Sequence, residues 1–462
     1  VKAAGLADEL TTRLNTQLRR LTGEAVDKAT QTTALKIWIE KRGVTIPTKT
    51  TKDGALKQTI DKAAILNLLS DASVPKLVKD VISIRRQVGK SSTAKYIKAL
   101  DSAGPDHRIR GVLQYHAAHT GRWGGRLIQP QNYPKGFEGL EGQERCISLL
   151  DDPERFMLVY ADKSMNALSD LLRGMFIAGP GKVFVSADYN AIEARVEMWL
   201  ANEQATLAAY RRGESPYVDL ARTIYDNPLI TKKTNPKEYS LGKAAFLGFG
   251  YGLGAKKFQA TCKIQADIQI TDEFAERAKN VYRDKYSAIV KMWYSTEAAA
   301  LSAVRNPDKR YAACEERVLF GMAKKYPALI CRLPSGRHLW YWHPSIRRIK
   351  TPWGEMKDEL CYQGRDSMTH QWTMLKTYGG ALVENITQAV ARDILAGGML
   401  RCDAAGFPIL LTVHDEILAE VSEDKITDAT LPDFIRTMCQ AESWADGCPI
   451  AAEGWIGKRY RK

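Results

Sequence analysis

The chain has 462 residues, 45% hydrophobic and 26% charged, and its 67 Lys and Arg against 53 Asp and Glu leave a formal net charge of +14. That length can bury several cores, and the cationic surplus favours polyanions, because contacts to phosphate release counterions. Eight scattered cysteines with no Cys-x-x-Cys spacing argue against structural zinc and for a reducing, cytoplasmic compartment; no membrane partner is expected, since no apolar run approaches the roughly 18 residues of a span and no signal peptide opens the chain.

In chain order, residues 1–104 read as mainly helical, broken at Arg42-Gly43 and across the Thr/Lys-rich stretch 47–54. Arg85, Arg86 and Lys90 stand among hydroxyl residues, a mixture suited to gripping a phosphate backbone without reading bases. Val183-Phe-Val-Ser-Ala-Asp188 is an apolar, β-branched run that reads as a buried strand ending on an acid. Ile409-Leu-Leu-Thr-Val-His414-Asp415-Glu416 repeats the pattern, and a second strand-like run follows at once, so His414-Asp415 reads as a hairpin tip. One acid at a strand end is usually a turn residue. Two on one sheet can hold a pair of Mg²⁺ ions roughly 3.5–4 Å apart, the arrangement behind in-line phosphoryl transfer.

Between them, Asn235, Pro236 and Glu238 read as N-cap, first turn and capping box of a helix over about 236–252. Tyr239, Lys243, Leu247 and Tyr251 recur every four residues along it and drift slowly around one face. A cation between aromatic groups suits a nucleoside triphosphate. Gly242, Gly248 and Gly250 each cost a helix about 1 kcal/mol and signal the close approach of another group.

These three segments resemble motifs A, B and C of the family A (polymerase I-like) DNA polymerases, in the order and at the separations of that family. Thr120-Gly121-Arg122 through Gln131-Asn132-Tyr-Pro134 resembles a fourth family segment, and Thr377 through Asp393 resembles the helix leading to motif C, in a form similar to bacteriophage members. The resemblance spans essentially the whole chain. It implies an α+β right-hand fold: thumb 1–104, first palm segment 105–200, mainly helical fingers 201–376 with a Pro-punctuated insertion near 333–337 and 352–354, and second palm segment 377–462 with an antiparallel sheet. It also implies two Mg²⁺ ions, with Mn²⁺ as a substitute, held by Asp188, Asp415, the Tyr189 carbonyl and, in support, Glu416. Lys243 matches the phosphate-binding lysine, Glu193 the glutamate that excludes a ribose 2′-OH, and Tyr251 the tyrosine under the templating position. Leu247, Tyr217 and His414 are expected near the nucleotide. Arg122, Gln131, Asn132 and Gln388 match residues that touch the minor groove. The implied partners are primer–template DNA and dNTPs.

Two positions depart from the family pattern. Tyr239 stands where an Arg usually holds the outer phosphates, and Lys237 lies roughly 120° off the Lys243 face. Lys232 and Lys233, just ahead of the helix N-terminus, are the better candidates for that anion site. Leu247 replaces a common aromatic. A single-subunit RNA polymerase shares the fold, but Glu193 and the His-Asp-Glu order argue against it; a catalytically silent DNA-binding protein would tolerate loss of the acids, and all are present.

Overall fold

The computed structural model describes residues 1–50, 56–89, 92–137, 139–263, 268–351, 354–366 and 369–461. The chain divides into two compact units, one formed by residues 1–114, 125–180 and 457–462, the other by 115–124 and 181–456.

The first unit contains α1 (Lys2–Thr22), α2 (Thr32–Glu40), α3 (Lys62–Ser70), α4 (Lys76–Val88) and α5 (Ala94–Ser102). A small hairpin of β1 (Thr48–Thr50) and β2 (Leu56–Gln58) occupies part of the Thr/Lys-rich stretch. Short strands β3 (Leu113–Gln114) and β4 (Gly124–Gly125) and helices α6 (Gly139–Ser148), α7 (Pro153–Tyr160) and α8 (Ser164–Asp170) follow. Two apolar clusters hold it. One, around Leu18, Leu35 and Val78, joins α1 to α2–α4, and the other, around Leu6, Phe156 and Leu168, joins α1 to α7 and α8. Residue Lys90 lies outside the described residues. Arg85 is half-buried and Arg86 exposed in the last turn of α4.

In the second unit β5 (Lys182–Tyr189) leads to helices α9 (Ile192–Leu200), α10 (Gln204–Arg211), α11 (Pro216–Tyr225) and α12 (Pro236–Phe249). Helices α13 (Ala255–Thr261), α14 (Asp272–Lys285) and α15 (Ser287–Arg305) come next. The Pro-punctuated segment is then a six-stranded antiparallel meander rather than an insertion in helix: β6 (Arg310–Ala313), β7 (Val318–Met322), β8 (Ala328–Arg332), β9 (His338–Lys350), β10 (Met356–Arg365) and β11 (Trp372–Thr377). The long α16 (Gly379–Ala404), the hairpin β12 (Ile409–Val413) and β13 (Glu416–Ser422), α17 (Thr430–Cys439) and β14 (Ala452–Gly457) complete the unit.

The sheet that carries both acids has the order β12-β13-β5-β14. Its central strands are buried almost throughout, as their near-continuous apolar runs require. Helix α16 packs against α9, α15 and α17, and a large apolar cluster runs from Val185 through Phe246 and Tyr282 to Ile386. No cysteine among the described residues is in a disulfide, and seven of the eight are buried. Among the described residues no helix is long and apolar enough to cross a membrane.

Candidate active site

The register of β5 against β13 brings the two acids together. Asp188 lies opposite Glu416, and the Tyr189 N–H donates to the Asp415 carbonyl at 3.0 Å, so Asp188 and Asp415 occupy adjacent strand ends. His414 makes the tight hairpin possible by taking a left-handed conformation, φ 57°, and its side chain is exposed. Tyr189 turns its ring inward, where its hydroxyl donates to the Met438 carbonyl at 2.7 Å; the backbone carbonyl is therefore what Tyr189 can offer a cation. Glu416 is buried and accepts a hydrogen bond from Ser186 Oγ at 2.7 Å. Among the described residues no group of three or more His, Cys, Asp or Glu side chains converges as a metal cluster. Two carboxylates and a backbone carbonyl are nonetheless an all-oxygen donor set, which fits a hard cation such as Mg²⁺ that keeps several waters.

Glu193 stands in the first turn of α9, which begins after Ala191 in a left-handed conformation. Its carboxylate is ion-paired with Arg122 and accepts a long hydrogen bond from the Tyr251 hydroxyl at 3.4 Å. Arg195 takes no part: it donates to the carbonyls of Asn190 at 2.7 Å and Pro449 at 2.8 Å. Arg122 also reaches to 3.9 Å from the Asp415 carboxylate. Burial works against the Arg122 charge, and Glu193 and Asp415 outweigh it, leaving the guanidinium pKa raised. The loop bearing Arg122 is tied down by residues to which the sequence motifs gave no role. Arg337 donates to the Thr120 carbonyl at 2.9 Å and to Asp393 at 2.8 Å, and Arg392 donates to the Gly121 carbonyl at 3.0 Å.

Along α12 the expected face is present, with corrections at both ends. Asn235 is the N-cap residue, but no capping box forms: its side-chain oxygen accepts from the Thr234 hydroxyl at 2.7 Å instead. The helix stops at Phe249, so Tyr251 sits in the turn beyond it rather than on the helix. That turn is pinned by Trp293 Nε1, which donates to the Gly250 carbonyl at 2.7 Å, and by the Tyr378 hydroxyl, 3.2 Å from the Tyr251 carbonyl. Lys243 Nζ lies 5.9 Å from the Tyr217 ring, and Tyr217 is edge-on to Tyr239 at 6.3 Å. Lys232 Nζ is 5.7 Å from the Tyr239 ring, while Lys233 is exposed and Leu247 is partly buried against the core. The glycines do mark close approaches, though to protein. A Cβ on Gly242 would collide with the Tyr217 carbonyl, and one on Gly250 would lie 2.6 Å from both carboxyl oxygens of Glu197.

Glu197 itself is fully buried one turn after Glu193. Burial, then the charges of Glu193 and Glu384, hold its carboxyl well above the usual carboxylate range. Burial and the same three acids push the Tyr251 hydroxyl up as well. On α16, Gln388 donates to Glu384 at 3.3 Å. Gln131 and Asn132 form a 3-10 turn in the first unit, where Asn132 donates to the Gln129 side chain at 3.0 Å.

An α+β fold with one aspartate at the end of a buried strand of an antiparallel sheet and another in the adjoining hairpin turn is the framework of a polymerase domain. The sequence model of DNA polymerase family A matches residues 4–306, and the chain belongs to that family. A DNA polymerase of Bacillus phage SP02 is 34% identical over 455 residues, covering 96% of this chain and 65% of that protein. A DNA polymerase of Mycobacterium phage D29 is 23% identical over 350 residues, 74% of this chain and 45% of its own length. The polymerase domain of Pol1 from M. smegmatis, solved with a DNA primer–template and dNTP, superposes with a TM-score of 0.63 at 19% identity, covering 99% of this chain and 66% of that one. The chain thus spans somewhat under two thirds of the phage SP02 relative.

Proposed function

We propose that the chain is the template-directed DNA polymerase part of a phage-type replication enzyme, adding dNTPs to a primer 3′-OH with release of pyrophosphate. The observation that carries this reading is the β5–β13 register, which sets Asp188 opposite Glu416 and so beside Asp415, whose carboxylate is 3.9 Å from Arg122. Asp188, Asp415 and the Tyr189 carbonyl would hold the Mg²⁺ ions, with buried Glu416 bracing the strand through Ser186. When bound, such ions lower the pKa of the 3′-OH and neutralise charge on the reacting phosphate oxygens. Lys243 supplies positive charge beside the α-phosphate and is the candidate proton donor to the leaving pyrophosphate. Lys232, held over Tyr239, and Lys233 take the outer phosphates in place of the family's arginine. Tyr217, Leu247, Tyr251 and His414 border the nucleotide.

The assignment of 1–104 as thumb, 105–200 and 377–462 as palm and 201–376 as fingers belongs to the same reading. Gln388, Gln131 and Asn132 test the minor groove, where Watson–Crick pairs present similar acceptors, and Arg122 combines that role with anchoring Glu193. Arg85, Arg86 and Lys90 grip the backbone. The Glu193–Arg122–Tyr251 cluster favours deoxynucleotides over the RNA-polymerase alternative, because a ribose 2′-OH would meet a carboxylate already held from two sides. Primer extension with Mg²⁺ tests the reading: extension with dNTPs and little with rNTPs is expected. Extension with rNTPs alone would make it an RNA polymerase, and none with either would make it a binding protein.

A further inference from the structure

We propose that the solvent face of the six-stranded sheet β6–β11 is a platform for single-stranded DNA, taking the unpaired template strand. The sheet is two-sided. Phe320, Leu329, Cys331, Leu339 and Tyr341 alternate onto the buried face. The opposite face should then be polar. Instead it carries Trp340 and Trp342, stacked with centroids 5.5 Å apart and planes at 17°, and Tyr326 set edge-on against both at 6.0 and 6.1 Å. Tyr326 is 54% exposed and Trp372, two strands away, 61% exposed. Nothing in the core requires these rings.

Cations complete the face. The row Arg310, Gly321, Ile330, Trp340 runs across four strands in register, and Arg332 lies opposite His338. Strands β6 to β9 contain no Asp or Glu; the nearest acids are Asp308 ahead of β6 and Glu315 and Glu316 in the β6–β7 turn, while β10 carries Asp358, ion-paired with Arg348, and Glu359. Burial, then Arg332 and Arg310, push the His338 imidazole down, as a locally positive field demands.

Flat rings beside cations match the chemistry of an unpaired strand, whose bases need π-faces and whose phosphates need charge. Duplex DNA hides its base faces, and an acidic peptide has no use for four aromatic rings. The choice of the template strand rests on the polymerase reading above. The Trp340 carbonyl is 2.8 Å from His119 Nε2, whose ring also packs on Tyr341 at 5.0 Å, so the loop that carries Arg122 to Glu193 and Asp415 meets β9 from beneath the platform. The unpaired template is the single strand present in every round of extension.

The test measures affinity of the full chain for primer–templates with a long or a short 5′ overhang and for oligodeoxythymidine alone. The long overhang is expected to bind more tightly. Trp340→Ala/Trp342→Ala should cost at least about 10-fold on the long overhang and on the oligonucleotide, with the short overhang unchanged. Should the double Trp variant fail to fold, the exposed pair Arg310→Glu/Arg332→Glu decides: it should lower the slope of log Kd against log salt by about 1.4 for single strands. Affinity indifferent to overhang length, or raised only by a flap on the displaced strand, overturns the platform. Loss of extension on the short overhang by the unaltered chain would sink the polymerase reading instead, while oligonucleotide binding would still report on the sheet.

Discussion

Glu193 is gripped from two sides, by a charged partner in Arg122 and, more weakly, by the Tyr251 hydroxyl at 3.4 Å. Admitting a ribose would either clash with the carboxylate or pull it from these partners and leave it partly unsatisfied, a penalty of a few kcal/mol. Glu193→Ala is therefore expected to raise rNTP use relative to dNTP use by about 10²–10³-fold in kcat/KM, and Tyr251→Phe much less. An unchanged rNTP-to-dNTP ratio in single-nucleotide kinetics would show that the carboxylate is not the gate. Glu197, one turn on, gives a different signature. Its folded pKa is raised, so below its unfolded value near the ordinary 4.5 both states are protonated and its burial carries no pH-dependent cost. Above that value the unfolded chain ionises while the native acid stays neutral, and stability falls by up to about 1.4 kcal/mol per pH unit until the folded pKa is reached. Glu197→Gln is neutral at every pH. Its melting temperature should gain on that of the unaltered chain as pH rises from 5 to 8; a constant difference would mean that Glu197 is ionised in the fold.

At the scale of elements, what was legible in the sequence follows from how each element announces itself. Strands β5 and β13 are buried on both faces, so their apolar runs are continuous and the terminal acids stand out. The face of α12 was legible from its four-residue spacing and Asn235 as its N-cap residue, but the missing capping hydrogen bonds were not. Asn235 had competing partners in Thr231 and Thr234, and local hydroxyls win such contests without any signal in periodicity. The six-stranded sheet escaped because its outer face is aromatic: in β9 the half-buried Trp340 and Trp342 alternate with buried Leu339 and Tyr341, so hydrophobicity does not alternate at all. The Arg122–Glu193 pair joins residues far apart in sequence, which spacing alone does not reveal. The glycines were read correctly as close approaches, and Gly242 allows a direct check. Ala there would gain about 1 kcal/mol of helix propensity, yet its Cβ would strike the Tyr217 carbonyl and come to 2.8 Å from the Ala221 methyl. Overpacking against backbone costs about 1–3 kcal/mol, so a lower melting temperature and a raised KM for dNTP are expected as Tyr217 and Lys243 shift apart. A melting point at or above that of the parent would mean that α11 and α12 separate freely.

On the scale of the whole molecule, the proposed function divides the work of holding DNA and reacting on it between the +14 charge and the strand-end acids. Sequence-independent affinity comes from cations on phosphates, and contacts to only four phosphates of a duplex imply about a 100-fold loss of affinity between 50 and 200 mM salt. In that reading chemistry depends on the carboxylates of Asp188, at the end of β5, and Asp415, just before β13, local negative charges that contribute nothing attractive toward a polyanion. The two functions should therefore separate in Asp188→Asn. Its neutral amide keeps the strand pairing, and its affinity for primer–template and the steepness of the salt dependence should match those of the parent chain. Extension should fall by about 10³-fold or more, since at least about 4 kcal/mol of transition-state stabilisation goes with the ligand. Titrations at several salt concentrations beside single-turnover extension measure both. More than a few per cent of the parent rate would make Asp188 a turn residue, and a flattened salt slope would mean that the acid had been organising the cations of the DNA-binding surface as well.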